Sequence, residues 1–317
     1  MKETIKALIL ALGLATAGVT PALSADKAAE CPRGCLLDHM DRYLQALTGH
    51  DASILPIAPG ALIYENGQPA NLKDGIWNSV NIVANRATFV DPKAGQAAFF
   101  GSLKEKSGET VLYFARLKID KNKITEIEQL TTRKGKLLFN PSGVQYPKAI
   151  WFDIVPPEER VPAQELVRIA NSYFESLQVH DPNITALHPD CDRIENGTET
   201  TNTTRAEAIT SDSCETGISK LGWITKVRER RFPIVDAQRG LVIGMSHLDI
   251  SAGVGSLDGP KTDKPFSFII YEVFKIVDGR ILDIECIMTN DAFGVSYWPK
   301  GPFYENEHPF TKIARKP

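Results

Sequence analysis

Apolar residues recur at helical spacing in two separated stretches. Leu36, Met40, Tyr43, Leu44 and Leu47 form one such stripe, and Leu166, Ile169, Ala170, Tyr173, Phe174 and Leu177 form the other. Each spacing predicts an amphipathic helix with one face in a core. Pro162 stands just upstream of the second stripe, where a proline is tolerated. Runs with strand character follow each helix: Thr88–Val90, Ala97–Leu103, Val111–Ile119 and Ile124–Leu130, then Phe232–Val235, Leu241–Leu248, Phe268–Ile276 and Ile281–Thr289. Asp278-Gly279 marks a tight hairpin between the last two, and Asp120-Lys121-Asn122-Lys123 reads as a longer loop doing the same work.

The two halves repeat one another. Tyr43 through Asp51 parallels Tyr173 through Asp181, and Glu65-Asn66-Gly67 parallels Glu195-Asn196-Gly197 at the same offset. Further on, Val90-Asp91 with Gly95 matches Val235-Asp236 with Gly240. Ile119, Ile124, Ile127 and Glu128 match Ile276, Ile281, Ile284 and Glu285. The offset grows only where polar loops are inserted, at Glu195–Ser213 and Ser251–Pro265. Such ordered matches imply a tandem duplication. The expected organisation is a leader at 1–25, a first unit at 31–133, a linker at 134–161, a second unit at 162–291 and a tail at 292–317.

A helix laid in a curved antiparallel sheet makes a cone with one open end. On this pattern the chain resembles the nuclear-transport-factor-2-like (SnoaL-like, cystatin-like cone) superfamily, here in tandem. The segments Cys191-Asp192-Arg193-Ile194-Glu195-Asn196-Gly197, Asp212-Ser213-Cys214 and Arg231 through Asp236 also resemble a family of secreted double-cone proteins of fungi and bacteria. The implied fold class is α+β: two tandem cone-shaped units, each a curved antiparallel sheet wrapped on an N-terminal helix. The resemblance further implies that the two cones pair within one chain or that the chain forms a homodimer. It says little of function, because one fold hosts many.

Composition narrows the partners. The formal charge of −3 gives no basic footprint for nucleic acid. Arg228, Arg230 and Arg231 form the one basic cluster, expected at a solvated strand edge. Lys2 and Lys6, the apolar run Ala7–Val19 and the small residues at Ala22–Ala25 read as a secretory signal, so the protein is expected to be periplasmic or extracellular and free of the membrane once cleaved. An exported chain with five cysteines invites disulfides. Cys191 can pair with Cys214 across a polar stretch, Cys31 with Cys35 through a turn, and Cys286 is left over in an apolar strand. No cysteine or histidine spacing suits zinc, and no phosphate or dinucleotide motif occurs, so no cofactor and no metal are expected.

Candidate chemistry comes from strand alternation. Glu272 shares parity with Phe268, Ile270, Phe274 and Ile276 and should point into the second cone, with Tyr271 and Lys275 toward solvent. His247 shares parity with Leu241, Ile243 and Met245. Arg193 and Glu195 share a face, and Glu285 shares one with Asp283 and Ile287, its direction left open by a bulge signal. The first unit carries Ile63 opposite Arg193, Ser102 opposite His247 and Ala115 opposite Glu272. A group needed only for the fold should be kept in both copies.

These residues point to a cofactor-free lyase or isomerase acting on a small organic molecule, carbonyl-bearing or aromatic. His247 or Glu272 would move the proton, Arg193 would hold an anion, Glu195 and Glu285 would complete the set, and Trp223, Met245 and Phe274 would line the substrate. Dyads known from scytalone dehydratase and dehydrochlorinase relatives pair a histidine with an aspartate at the end of the first helix. The matching positions here are Thr48 and Gln178, so that dyad is missing. The alternative is an exported, non-catalytic ligand-binding or scaffold protein. There Arg193 merely neutralises a buried glutamate, and the two Glu-Asn-Gly segments are turn or cap residues.

Overall fold

The computed structural model describes residues 31–135, 138–144, 146–203, 212–254, 262–296 and 298–299; the leader and the end of the tail lie outside them. Helix α1 (Arg33–Gly49) buries Leu36, Met40, Tyr43, Leu44 and Leu47 and stops at His50, which adopts a left-handed φ of 55°. Strands β1 (Ile57–Glu65) and β2 (Gln68–Pro69), the short helix α2 (Ile76–Ser79), and strands β3 (Val80–Asp91), β4 (Gln96–Glu105), β5 (Thr110–Asp120) and β6 (Lys123–Thr132) follow. The pattern then repeats as α3 (Ala163–Val179), β7 (Leu187–Glu195), β8 (Thr198–Glu199), α4 (Cys214–Lys220), β9 (Lys226–Asp236), β10 (Leu241–Ile250), β11 (Phe266–Val277) and β12 (Arg280–Asp291).

The two six-stranded sheets have the same order, β2-β1-β6-β5-β4-β3 and β8-β7-β12-β11-β10-β9. The protein is therefore α+β, built of two tandem units of one topology. Each sheet is antiparallel except at one junction, where β1 runs parallel to β6 and β7 parallel to β12. The sequence pattern does not reveal β1 and β7, because their Pro, Gly and Asp residues interrupt the alternation that marks a strand.

Turn chemistry sets the register. Asp278 and Gly279 have φ of 50° and 70°, and Lys121 and Asn122 have φ of 47° and 59°. Both hairpins thus close with two central residues at positive φ, and Asp120 pairs directly with Lys123. The longer loop expected there is corrected to the same tight turn, with Asn122 supplying the tolerance that Gly279 supplies in the other copy. Asn66-Gly67 and Asn196-Gly197 make equivalent turns. The Asn66 side chain is bonded to Thr131 N at 2.7 Å, and that of Asn196 to Met288 N at 2.9 Å. Each Glu-Asn-Gly segment so fastens its hairpin to the last strand of its sheet.

Three cores result. One lies between α1 and the first sheet, and one between α3 and the second. The third joins the outer faces of the two sheets: Phe100, Phe114 and Leu130 pack with Ile243, Met245, Tyr271 and Ile287 around Trp151. The cones therefore pair within the chain, and the segment between them supplies the central indole. This layer overturns the expectation that Tyr271 and Lys275 face solvent; they are 2% and 1% exposed. It also corrects the solvated arginine cluster. Arg231 reaches across to Glu128 of the first sheet, and Arg230 turns back to Asn171 and Glu175 on α3.

Candidate site in the second cone

Arg193, Glu195 and Glu272 meet inside the second cone. Strand alternation on β7 turns Cys191, Arg193 and Glu195 toward α3, and alternation on β11 turns Glu272 the same way, between Ile270 and Phe274. Arg193 and Glu272 are each 1% exposed. The Arg193 Nε donates to Thr200 Oγ1 at 3.0 Å and lies 3.2 Å from Glu195 Oε1, and the guanidinium also bonds the Tyr173 hydroxyl of α3. Burial, reinforced by the Glu195 charge and opposed by Arg193, pushes the Glu272 carboxyl well above the usual carboxylate range. Burial opposes the Arg193 charge, yet Tyr173, Glu195 and Glu272 outweigh it and raise that guanidinium above its ordinary value.

Two atoms of this group lack hydrogen-bond partners among the described residues: Glu272 Oε2 and Arg193 Nη1. Orphaned polar atoms at a buried position are costly, at about 1–3 kcal/mol each. Among the described residues, the first cone contains no such pair. There the Tyr43 and Tyr113 hydroxyls lie 2.6 Å apart and 2.8 and 2.9 Å from Gln129 Oε1, their two protons serving two of these three contacts, and Trp77 Nε1 donates to Gln129 Oε1 at 3.0 Å. Glu65, the counterpart of Glu195, accepts from Ile76 N at 3.2 Å at the start of α2. The capping role holds for Glu65, and the shared Glu-Asn-Gly motif carries two different duties.

The other expected members lie elsewhere. His247 follows the parity of Leu241, Ile243 and Met245, and those residues form the layer between the sheets. His247 and Glu272 thus project from opposite faces, and the expectation that both belong to one site in the cone is corrected. Met245 is fully buried in that same layer rather than in the cone. The register shift beside Ile276 puts Ile281 in the cone core, while Asp283 bonds Trp151 Nε1 in the intersheet layer. Glu285, two residues on, shares the Asp283 side; burial raises its carboxyl to about 8 against the pull of Lys148. Phe274 does line the cone, packed against Tyr173 and Phe174, and half-buried Trp223 stacks edgewise on Phe268 at 6.1 Å.

Sequence reasoning also missed a charged cluster in the seam. Glu128 accepts from Arg116 at 3.0 Å, from both terminal nitrogens of Arg231 at 3.0 and 2.5 Å, and from the Tyr271 hydroxyl at 2.7 Å. These charges hold its carboxyl down at about 2 despite burial. Trp298 covers the two arginines, its ring 5.0 and 5.1 Å from their guanidinium carbons. His247 Nδ1 lies 3.6 Å from Glu229 Oε2. Burial, with Arg228 and Arg231 nearby, pushes that imidazole down to about 4. The repeat position of Glu128 was legible in the sequence; its partners from the other sheet, Arg231 and Tyr271, were not.

Disulfides join Cys31 to Cys35 and Cys191 to Cys214, and Cys286 is free and buried. His39 lies near the first pair, but both sulfurs are bonded to one another and the imidazole Nε2 meets Asn122 at 2.8 Å. Gln178 Oε1 accepts from Val227 N at 3.0 Å and Thr48 Oγ1 donates to Leu44 O, so both serve the backbone. His50 and His180 cap their helices in the left-handed region and bond Trp77 O and Ile224 O. Among the described residues, no helix is long and apolar enough to cross a membrane.

A family profile matches residues 30–131 and 159–288, one stretch for each unit. The chain belongs to the family described as Domain of unknown function (DUF8021). No curated protein matches the chain. Among solved structures it is similar to AclR, a putative hydroxylase from Streptomyces galilaeus, at 12% identity and a TM-score of 0.30, over 40% of this chain and 81% of that one. It is similar to a putative polyketide cyclase from Silicibacter sp. at 9% identity and a TM-score of 0.29, over 41% and 92%. A third is an LEH-like epoxide hydrolase of M. tuberculosis, at 16% identity and a TM-score of 0.27, over 42% and 86%. Likeness of this degree speaks to neither reaction nor substrate.

Proposed function

We propose that the second cone is a cofactor-free proton-transfer site, of lyase or isomerase type, for a small organic molecule with a carbonyl or other anion-forming group. The observation that carries this reading is the pair of orphaned atoms, Glu272 Oε2 and Arg193 Nη1, in a buried cluster whose first-cone counterpart closes its bonds on itself. Glu272, kept in its acid form by burial, would donate and recover the proton. Arg193, held by Glu195, Thr200 and Tyr173, would carry the developing negative charge. Phe274 and Trp223 would flank the substrate. His247 and Met245, which belong to the seam, and Glu285 have no part in this version of the site. Two disulfides support an exported location for the chemistry.

One observation favours the second reading, a non-catalytic scaffold or ligand-binding protein. Arg193 and Glu272 are sealed from solvent, so a ligand enters only if the cone opens. The test is a comparison of wild type with Glu272→Gln on a panel of small carbonyl compounds in deuterated water. Deuterium incorporation or product formation by wild type, lost in the variant, supports catalysis. Equal profiles for both proteins, with ligand retained in native mass spectra, support binding alone.

A further inference from the structure

A cleft of about 300 Å³ opens between the two units, and its lining includes none of the second-cone cluster. Four elements that are distant in sequence build it: the first turn of α1, the end of β3, the segment joining the units, and the β9–β10 turn. Phe89 and Trp151 meet edge to face at 5.5 Å on its apolar side, and Phe152, 44% exposed, stands beside them. The Trp151 indole is fixed by its 2.9 Å bond to Asp283, so this wall is set before any ligand arrives. Lys275 ties the walls together, donating to Asp153 O at 3.3 Å and Arg239 O at 2.7 Å.

The opposite side is cationic. Arg33 Nη2 and Arg239 Nη1 both donate to one oxygen of Asp236, at 2.6 and 3.2 Å. The second oxygen of Asp236 accepts from Gln238 N at 3.1 Å. Two guanidinium groups therefore share one carboxylate, which leaves one positive charge unanswered within the group. Their side chains are 33% and 21% exposed, so further donors can reach a ligand in the cleft. The first turn of α1, which starts here, carries no acidic residue, and its dipole adds to the same sign.

We infer that this cleft is a binding site for a small aromatic carboxylate. The arginines take the carboxylate in paired N–H···O bonds, and the ring lies against Phe89, Trp151 and Phe152. A volume near 300 Å³ is the lower end of small-molecule cavities and suits one or two fused rings. An inorganic anion would leave the aromatic wall unused, and a neutral arene would leave the charge unanswered.

The test is isothermal titration of the full-length protein with 2-naphthoate, with 2-naphthylmethanol as its neutral counterpart. Wild type is expected to bind the acid at least ten-fold more tightly than the alcohol. Arg239→Gln should weaken the acid at least ten-fold and narrow that preference, and Phe152→Ala should weaken both compounds several-fold. Both altered side chains are partly exposed, and unchanged thermal unfolding shows that the fold is kept. Equal affinity for acid and alcohol, no binding of the acid, or full affinity in both variants overturns the assignment. Glu272→Gln should leave the titration unchanged; loss of binding there would move the ligand to the second cone and also overturn it.

Discussion

Glu272 pairs with Gly244 across β10 and β11, while His247, three residues farther along β10 and paired with Ile269, projects from the other face of the same sheet. Both faces are covered, one by α3 and the other by the first sheet. Two ionisable groups close in the ladder thus occupy separate compartments. Glu272 belongs with Arg193 and Tyr173, and His247 with Glu229, Arg228 and Arg231. Their titrations should be independent and of opposite sign.

Glu285 should make the protein lose stability as pH rises. Its folded carboxyl is raised to about 8, so its contribution is complete below the ordinary carboxylate range and is lost as pH climbs through 8. Glu272, raised in the same direction, adds to the trend. Calorimetry from pH 5 to pH 8 should show a falling Tm, and Glu285→Gln should flatten the slope by roughly 4–8 °C, or about 2 kcal/mol. An unaltered slope would mean that the Glu285 carboxyl is solvated.

His247 should act at the acid end. Its imidazole is held down at about 4, so its contribution is present above its unfolded value near 6.5 and is lost as pH falls through 4. His247→Leu, which cannot gain a proton, should be more stable than wild type at pH 4.5 by about 2 kcal/mol. Urea unfolding at pH 4.5 and pH 7.5 measures both values. A difference that is the same at the two pH values would assign the effect to packing instead.

Glu128 should hold the two units together. Replacing it with Gln leaves Arg116 and Arg231 buried beside a neutral amide, at a cost of about 3–5 kcal/mol. Adding Arg231→Met to Glu128→Gln should recover part of that loss. Simple additivity in this double-mutant cycle would show that the pair is not coupled.

The Cys191–Cys214 bridge spans 23 residues, against four for Cys31–Cys35. The longer closure restrains more of the unfolded chain, so Cys191→Ser with Cys214→Ser should cost about 3 kcal/mol and the equivalent change at the short bridge less. Denaturant midpoints of both variants under oxidising conditions decide the order.

Much of this molecule could be read along the chain. Matching Tyr43 to Tyr173 and Glu65 to Glu195 revealed the duplication, and alternation correctly turned Arg193, Glu195 and Glu272 to one side. What local pattern cannot carry is the identity of partners drawn from another element. Tyr173 reads only as a core position of a helix, yet its hydroxyl meets Arg193. Trp151 reads as part of a connecting segment, yet it fills the centre of the third core.

The sequence by itself determined the repeat, the helix faces, most strand parities and the Asp278-Gly279 turn, since each depends on residues within a few positions of one another. Only the tertiary structure decided what each strand face meets. A period of two states that His247 and Met245 point together, and that Tyr271 and Lys275 do; it does not state whether water, a helix or a second sheet lies there. Here the second sheet lies there. Stacking the units buried both faces of each sheet, so a polar side chain such as Lys275 no longer marked an outside.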